Sequence, residues 1–178
     1  MWDIIPLCRA FMKGRYSGSM RPSSQSRKPC MIWLAHSSVA TIVEHNGRFL
    51  MVEERDGDAL VFNQPAGHLD EGETLFTAAV RETLEETGWD VELTHLLGLY
   101  HYPAPNGVTY IRHCFAAKPL RHLPDRELDT PIVAAHWLTA GEIMAPGFAA
   151  RSPIVQRCLQ DYLDGQRYPL AVIYHHHP

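Results

Sequence analysis

Three carboxylates, Glu82, Glu85 and Glu86, stand at i, i+3 and i+4 in the stretch Arg81-Glu82-Thr83-Leu84-Glu85-Glu86. On a helix that spacing gathers them on one face. Like charges so placed cost about 0.2–0.5 kcal/mol per pair, and a hard divalent cation, which takes oxygen ligands, offsets that cost directly. A solvated acidic face is the commoner fate of a Glu-rich helix, so the surrounding residues must decide. They form a fixed string: Gly67, five intervening residues, Glu73, seven more, Arg81-Glu82, then Glu85-Glu86 and Gly88.

The elements that must position these groups are legible around them. Thr74 is a predicted N-cap for a helix from about Leu75 to Thr87, which Gly88 stops. The expected inward face is Phe76, Ala79, Val80, Thr83, Leu84 and Thr87. Upstream, Ser38–Glu44 and Phe49–Glu53 read as strands joined by a hairpin turn at His45-Asn46-Gly47-Arg48. Leu60–Phe62 is a short strand, and Asn63-Gln64-Pro65-Ala66-Gly67-His68 turns the chain toward the helix. Downstream, Val91–Leu99, Tyr110–Ala116 and Ile132–Leu138 read as strands. A short helix starts at Thr139, and a last one runs from Pro153 to about Leu163, with Ser152 as N-cap and Gly165 as its stop. Strands on both sides of the acidic helix and a helix at the end predict an α/β fold, a mixed sheet between helices (α/β/α).

The string from Gly67 to Trp89, GHLDEGETLFTAAVRETLEETGW, resembles the Nudix box at every charged and glycine position. Only Thr83 departs, at a position where the family usually has a larger apolar residue. The resemblance implies a MutT-like hydrolase with the α/β/α fold, its domain over residues 31–178 and its box at residues 67–89. It implies Mg2+, or Mn2+ in its place, held by Glu82, Glu85, Glu86 and a backbone carbonyl at Ala66. These carboxylates are the expected catalytic groups, with Glu82 first among the candidate bases. Asp125, Glu127, Glu53 and Glu54 are alternatives, although solvation is the commoner fate of each. Glu73 and Arg81 are expected to clamp loop to helix, since arginine forms a bidentate pair with a carboxylate, and Gly67 lets the loop bend. Arg55 and His68 are candidate substrate contacts.

Composition narrows the class. A chain of 178 residues with 46% hydrophobic and 20% charged residues fits one soluble globular domain with a tail. No apolar run approaches the roughly 20 residues of a membrane helix, so no membrane partner is expected. Four scattered cysteines, Cys8, Cys30, Cys114 and Cys158, lack metal spacing and read as reduced thiols of a cytoplasmic protein. Residues 1–30 hold six Lys or Arg and only Asp3, which leaves ten basic against nineteen acidic side chains in the rest. That acidic body argues against nucleic acid as a partner. Residues 1–30 show no sustained period and are expected to be a flexible or mis-assigned N-terminal extension.

The box implies a reaction and leaves the substrate open. Arg151-Ser152-Pro153-Ile154-Val155 and Gly165-Gln166-Arg167-Tyr168-Pro169-Leu170, with the loop Asn63–Leu69, resemble a bacterial phosphatase subgroup of the family. That implies release of inorganic phosphate from nucleoside tri- and diphosphates and from small diphosphates such as hydroxymethylpyrimidine diphosphate. An ADP-ribose or nucleotide-sugar pyrophosphatase is the alternative, and Pro103 is reminiscent of it. A non-catalytic Nudix-like binding module is a third reading. The partner expected is a small nucleotide or diphosphate, and the chain a monomer or homodimer.

Overall fold

Alternation along the first strand explains the architecture. β1 (His36–His45) is buried on both sides from Val39 to Val43, so each face must be covered. Val39 packs with Ala78 and Ala79 of helix α1 (Leu75–Thr87), whereas Ala40 and Ile42 pack with Val155, Cys158 and Leu159 of helix α3 (Pro153–Leu163). The sheet therefore lies between helices. The computed structural model describes residues 33–176, so the expectation for residues 1–30 lies outside the described residues.

The sheet is mixed. β1 runs parallel to β6 (Thr109–His122) and antiparallel to β4 (Ala66–His68) on its other side, and β6 pairs antiparallel with β5 (Trp89–Pro103). A second group sets β2 (Arg48–Asp56) between β3 (Ala59–Asn63) and β7 (Ile132–Thr139). The two groups are joined by the β1–β2 hairpin, where only Glu44↔Phe49 and His45↔Arg48 are paired. Asn46 and Gly47 have φ of 52° and 75° in that turn, the two positive values that a two-residue hairpin of matching twist requires. Beyond the hairpin the strands diverge, and the opening between them becomes the site.

Helix α1 has the expected bounds. Thr74 and Thr77 form a reciprocal capping box, and the Gly88 N–H donates to the Leu84 carbonyl. Thr83 is fully buried: its hydroxyl donates to the Ala79 carbonyl at 2.7 Å and lies 2.8 Å from the Thr41 hydroxyl of β1. A polar tie thus replaces the apolar contact. α2 (Ala140–Ile143) begins with a capping box of Thr139 and Glu142. Ser152 is the N-cap residue of α3 and Pro153 opens the helix, as expected, although the Ser152 side chain makes no capping bond.

Strands β5 and β6 run well past their expected ends, because their antiparallel pairing continues through three irregularities and carries Tyr102 to Tyr110. β4 had no strand-like composition. It forms because Ser38, Val39 and Ala40 offer their free edge to His68, Gly67 and Ala66. After α3 the chain returns to β5, where Leu96 and Tyr168 exchange two backbone hydrogen bonds of 2.9 Å.

Candidate active site

The box loop and helix are locked together by Arg81. Its Nε and Nη2 donate to the two oxygens of Glu73 at 2.7 and 2.8 Å, and Nη2 also donates to the His68 carbonyl at 3.1 Å. Nη1 lies 2.9 Å from both Glu82 Oε1 and Glu85 Oε2. One guanidinium therefore holds the start of the loop and two of the three helix carboxylates. Its hydrogen bonds keep the Glu73 carboxyl below the usual range and raise the Arg81 pKa still further.

Gly67 is required by contact. A Cβ built there would overlap the Glu82 carboxylate, so β4 and the helix can approach this closely only with glycine. Glu86 lies deeper, and its Oε2 accepts the Ala66 N–H at 2.8 Å. Burial pushes its pKa up to about 8 despite that bond, with help from the charges of Glu82, Glu54 and Asp129. Burial also raises Glu82, against the opposing pull of Arg81. From the loop after Pro124, the groups that reach the helix are the Asp129 N–H, on the Glu85 carbonyl at 3.1 Å, and Arg126, 3.8 Å from Glu85. Asp125 and Glu127, named only as alternative bases, are exposed.

Beside Ala66 and Gly67 lies a cavity of about 510 Å³. Strand register builds one wall: Tyr102 pairs with Tyr110 and Tyr110 with His36, while Arg112 pairs with Ser38 and Ser38 with His68. Because residues two apart share a face, Tyr110 and Arg112 look the same way. Glu54, Asp56 and Asn63 of β2 and β3 line the opposite side, and Arg151 and Ser152 close the end. Arg112 leans toward the side-chain oxygens of Asn63 and Gln64, 3.4 Å from each, and Arg151 Nη1 donates to Glu54 Oε2 at 2.6 Å. A wider cavity of about 610 Å³ between β5 and α3 holds none of the box residues.

Several of the residues singled out by sequence meet here. Glu82, Glu85, Glu86, Glu73, Arg81, Ala66 and Gly67 form one cluster, and His68 lies on the cavity wall. Arg55 does not join them: it is exposed on β2, next to inward Glu54, and forms no part of the wall. Glu53 is held by His136 at 3.0 Å. The cavity's cationic side chains are Arg112 and Arg151, which sequence reading did not select as contacts. For Arg112 the available signal was an arginine inside the strand-like run Ile111–Ala116.

The residues fit a cation. Among the described residues no group of three acidic, His or Cys side chains already converges as a cage. Yet Glu86 is an ionisable carboxyl pushed up by burial, and Glu54 Oε1 is buried with no hydrogen-bond partner. A hard divalent ion with oxygen ligands and its own waters suits carboxyl groups buried in this way.

The NUDIX domain family model matches residues 34–158. The chain belongs to the Nudix family. Among its relatives, phosphatase NudJ of Escherichia coli strain K12 is 38% identical over 138 residues, which is 78% of this chain and 90% of NudJ. A NUDIX hydrolase from Nitrosomonas europaea superposes with a TM-score of 0.78 at 41% identity, over 80% of this chain and 98% of that one. A UDP-X diphosphatase, at 16% identity and a TM-score of 0.62, shares the fold. This Nudix protein is accordingly a hydrolase acting on phosphoanhydride bonds. Among the described residues no helix is long and apolar enough to cross a membrane.

Proposed function

We propose that this Nudix hydrolase is a divalent-cation-dependent phosphatase that releases inorganic phosphate from nucleoside tri- and diphosphates and from small diphosphates such as hydroxymethylpyrimidine diphosphate. The observation that carries this reading is likeness to phosphatase NudJ along 90% of that protein's length. The cavity supports it, since two arginines and an aromatic wall adjoin the carboxylate face. Its volume falls in the range of small-molecule sites.

In this reading Glu82, Glu85 and Glu86, with the Ala66 carbonyl, hold Mg2+, or Mn2+ in its place. When bound, the ion neutralises charge on the phosphate oxygens and makes a nearby water more acidic. Arg112 and Arg151 take the phosphates that are not transferred, and Tyr102, Tyr110 and His68 border the base or ring. Water attacks the terminal phosphorus, the bridging P–O bond breaks, and inorganic phosphate leaves. Glu82 accepts the proton of that water, since a carboxylate beside a bound cation stays ionised and so remains an acceptor. Glu73 and Arg81 keep loop and helix in register. Reduced, buried Cys114 and Cys158 suit a cytoplasmic setting.

Phosphorus NMR of the products from ADP, ATP and ADP-ribose, with and without magnesium, tests the reading. Free phosphate from ADP and ATP, dependent on magnesium, is expected. AMP and ribose phosphate from ADP-ribose, with ADP and ATP untouched, would replace it with a nucleotide-sugar pyrophosphatase.

A further inference from the structure

The two arginines of the cavity differ in what balances their charge. Arg151 Nη1 donates to the Glu54 carboxylate at 2.6 Å, so its charge is paired within the wall. Arg112, half-buried on β6, forms no ion pair among the described residues. Its Nη1 meets neutral acceptors, Asn63 Oδ1 and Gln64 Oε1, each at 3.4 Å, which is long for such bonds. A guanidinium partly withdrawn from water on a cavity wall, with no counter-charge beside it, calls for an anion. The contact with the two amides uses Nη1 and leaves the rest of the fork for a ligand.

Gln64, which aims Arg112, is a polar side chain with 0% exposure. Its Nε2 donates to the Val155 carbonyl, in the first turn of α3, at 2.7 Å. A carbonyl can only accept, so that bond fixes the amide and turns Oε1 toward Arg112. The backbone around Gln64 is tied on both sides. The Phe62 N–H donates to the Ala149 carbonyl at 2.8 Å, and the Thr41 N–H donates to the Pro65 carbonyl at 3.0 Å. A buried amide with one end on a helix and the other on the cavity's uncompensated cation is a strut between them. We propose that Gln64 is a positioning residue for substrate recognition, setting Arg112 to take the nucleotide phosphate that is not attacked, an assignment that rests on the cavity being the seat of the nucleotide. Arg112 is then the main anion contact of the cavity, and Arg151, spent on Glu54, contributes less.

Calorimetric titration with α,β-methylene-ADP in magnesium, whose P–C–P bridge is not hydrolysed, reads this contact without turnover. The wild type is expected to bind it, and absence of binding removes the nucleotide reading together with the inference. Arg112→Gln should weaken binding by about 10–100-fold, the worth of hydrogen bonds to a charged group. Gln64→Met should weaken it about 3–10-fold, since an arginine no longer held must be ordered on binding. In the Arg112→Gln background, adding Gln64→Met should change the affinity by less than about twofold. Wild-type affinity in either single variant overturns the inference and leaves the nucleotide reading standing. Losses that multiply in the double variant also overturn it, because Gln64 would then act on the fold and not through Arg112. Should Gln64→Met fail to fold, Gln64→Asn, which keeps the amide but is too short to span both partners, carries the same expectation.

Discussion

Glu86→Gln should stabilise the metal-free protein in alkali while leaving it little changed in acid. The folded state holds the Glu86 carboxyl at about 8 against an ordinary 4.5, mainly through burial. A group raised in this way binds its proton more tightly when folded. Its contribution favours the folded state below 4.5 and is lost as pH rises through 8. At about 1.4 kcal/mol per tenfold change, the difference between 8 and 4.5 sets a ceiling of about 5 kcal/mol on the cost of ionising the folded carboxyl. Glutamine keeps an oxygen for the Ala66 N–H and never ionises. Urea unfolding in chelator should therefore show the variant more stable by about 2–5 kcal/mol near pH 8.5, and by less than about 1 kcal/mol near pH 5. Magnesium should stabilise the wild type near pH 8.5 and have much less effect on the variant. A constant difference between the two proteins across that pH range would refute the argument that burial of an uncompensated carboxyl governs this end of the helix.

Gly67→Ala should lower kcat by about 10²-fold while the fold survives, because the new methyl displaces the Glu82 carboxylate; near-normal turnover would show that Glu82 need not stay there. Arg81→Lys should cost at least about tenfold in kcat/KM, since a point ammonium cannot hold Glu73 by two bonds and also reach Glu82 and Glu85. The Thr41–Thr83 pair predicts an asymmetric cycle in chemical denaturation. Thr83→Val leaves the buried Thr41 hydroxyl without its partner and should cost about 1–3 kcal/mol, whereas Thr41→Val should cost less because Thr83 still bonds to Ala79. The double variant should recover most of the loss, and additive costs would exclude the coupling.

Local spacing alone determined the box helix and its acidic face, while the reading of its chemistry came from the resemblance of the whole string to the Nudix box. Thr74, the apolar period and Gly88 specify α1 through contacts within a few residues, and the i, i+3, i+4 spacing of Glu82, Glu85 and Glu86 fixes one face regardless of what packs behind it. The β1–β2 hairpin was legible for the same reason, since Asn46-Gly47 suits the positive φ values that the turn demands. Tertiary structure decided the rest. Ala66–His68 becomes a strand only because β1 has an edge to offer. Arg112 meets Gln64, and Arg151 meets Glu54, across sequence separations of 48 and 97 residues, so no local pattern relates them. Sequence alone offers Arg55 as a candidate substrate contact and Glu54 as an alternative base. Burial then placed Glu54 in the cavity wall and left Arg55 exposed, because a strand turns successive side chains to opposite faces and one face of β2 is closed by its neighbours.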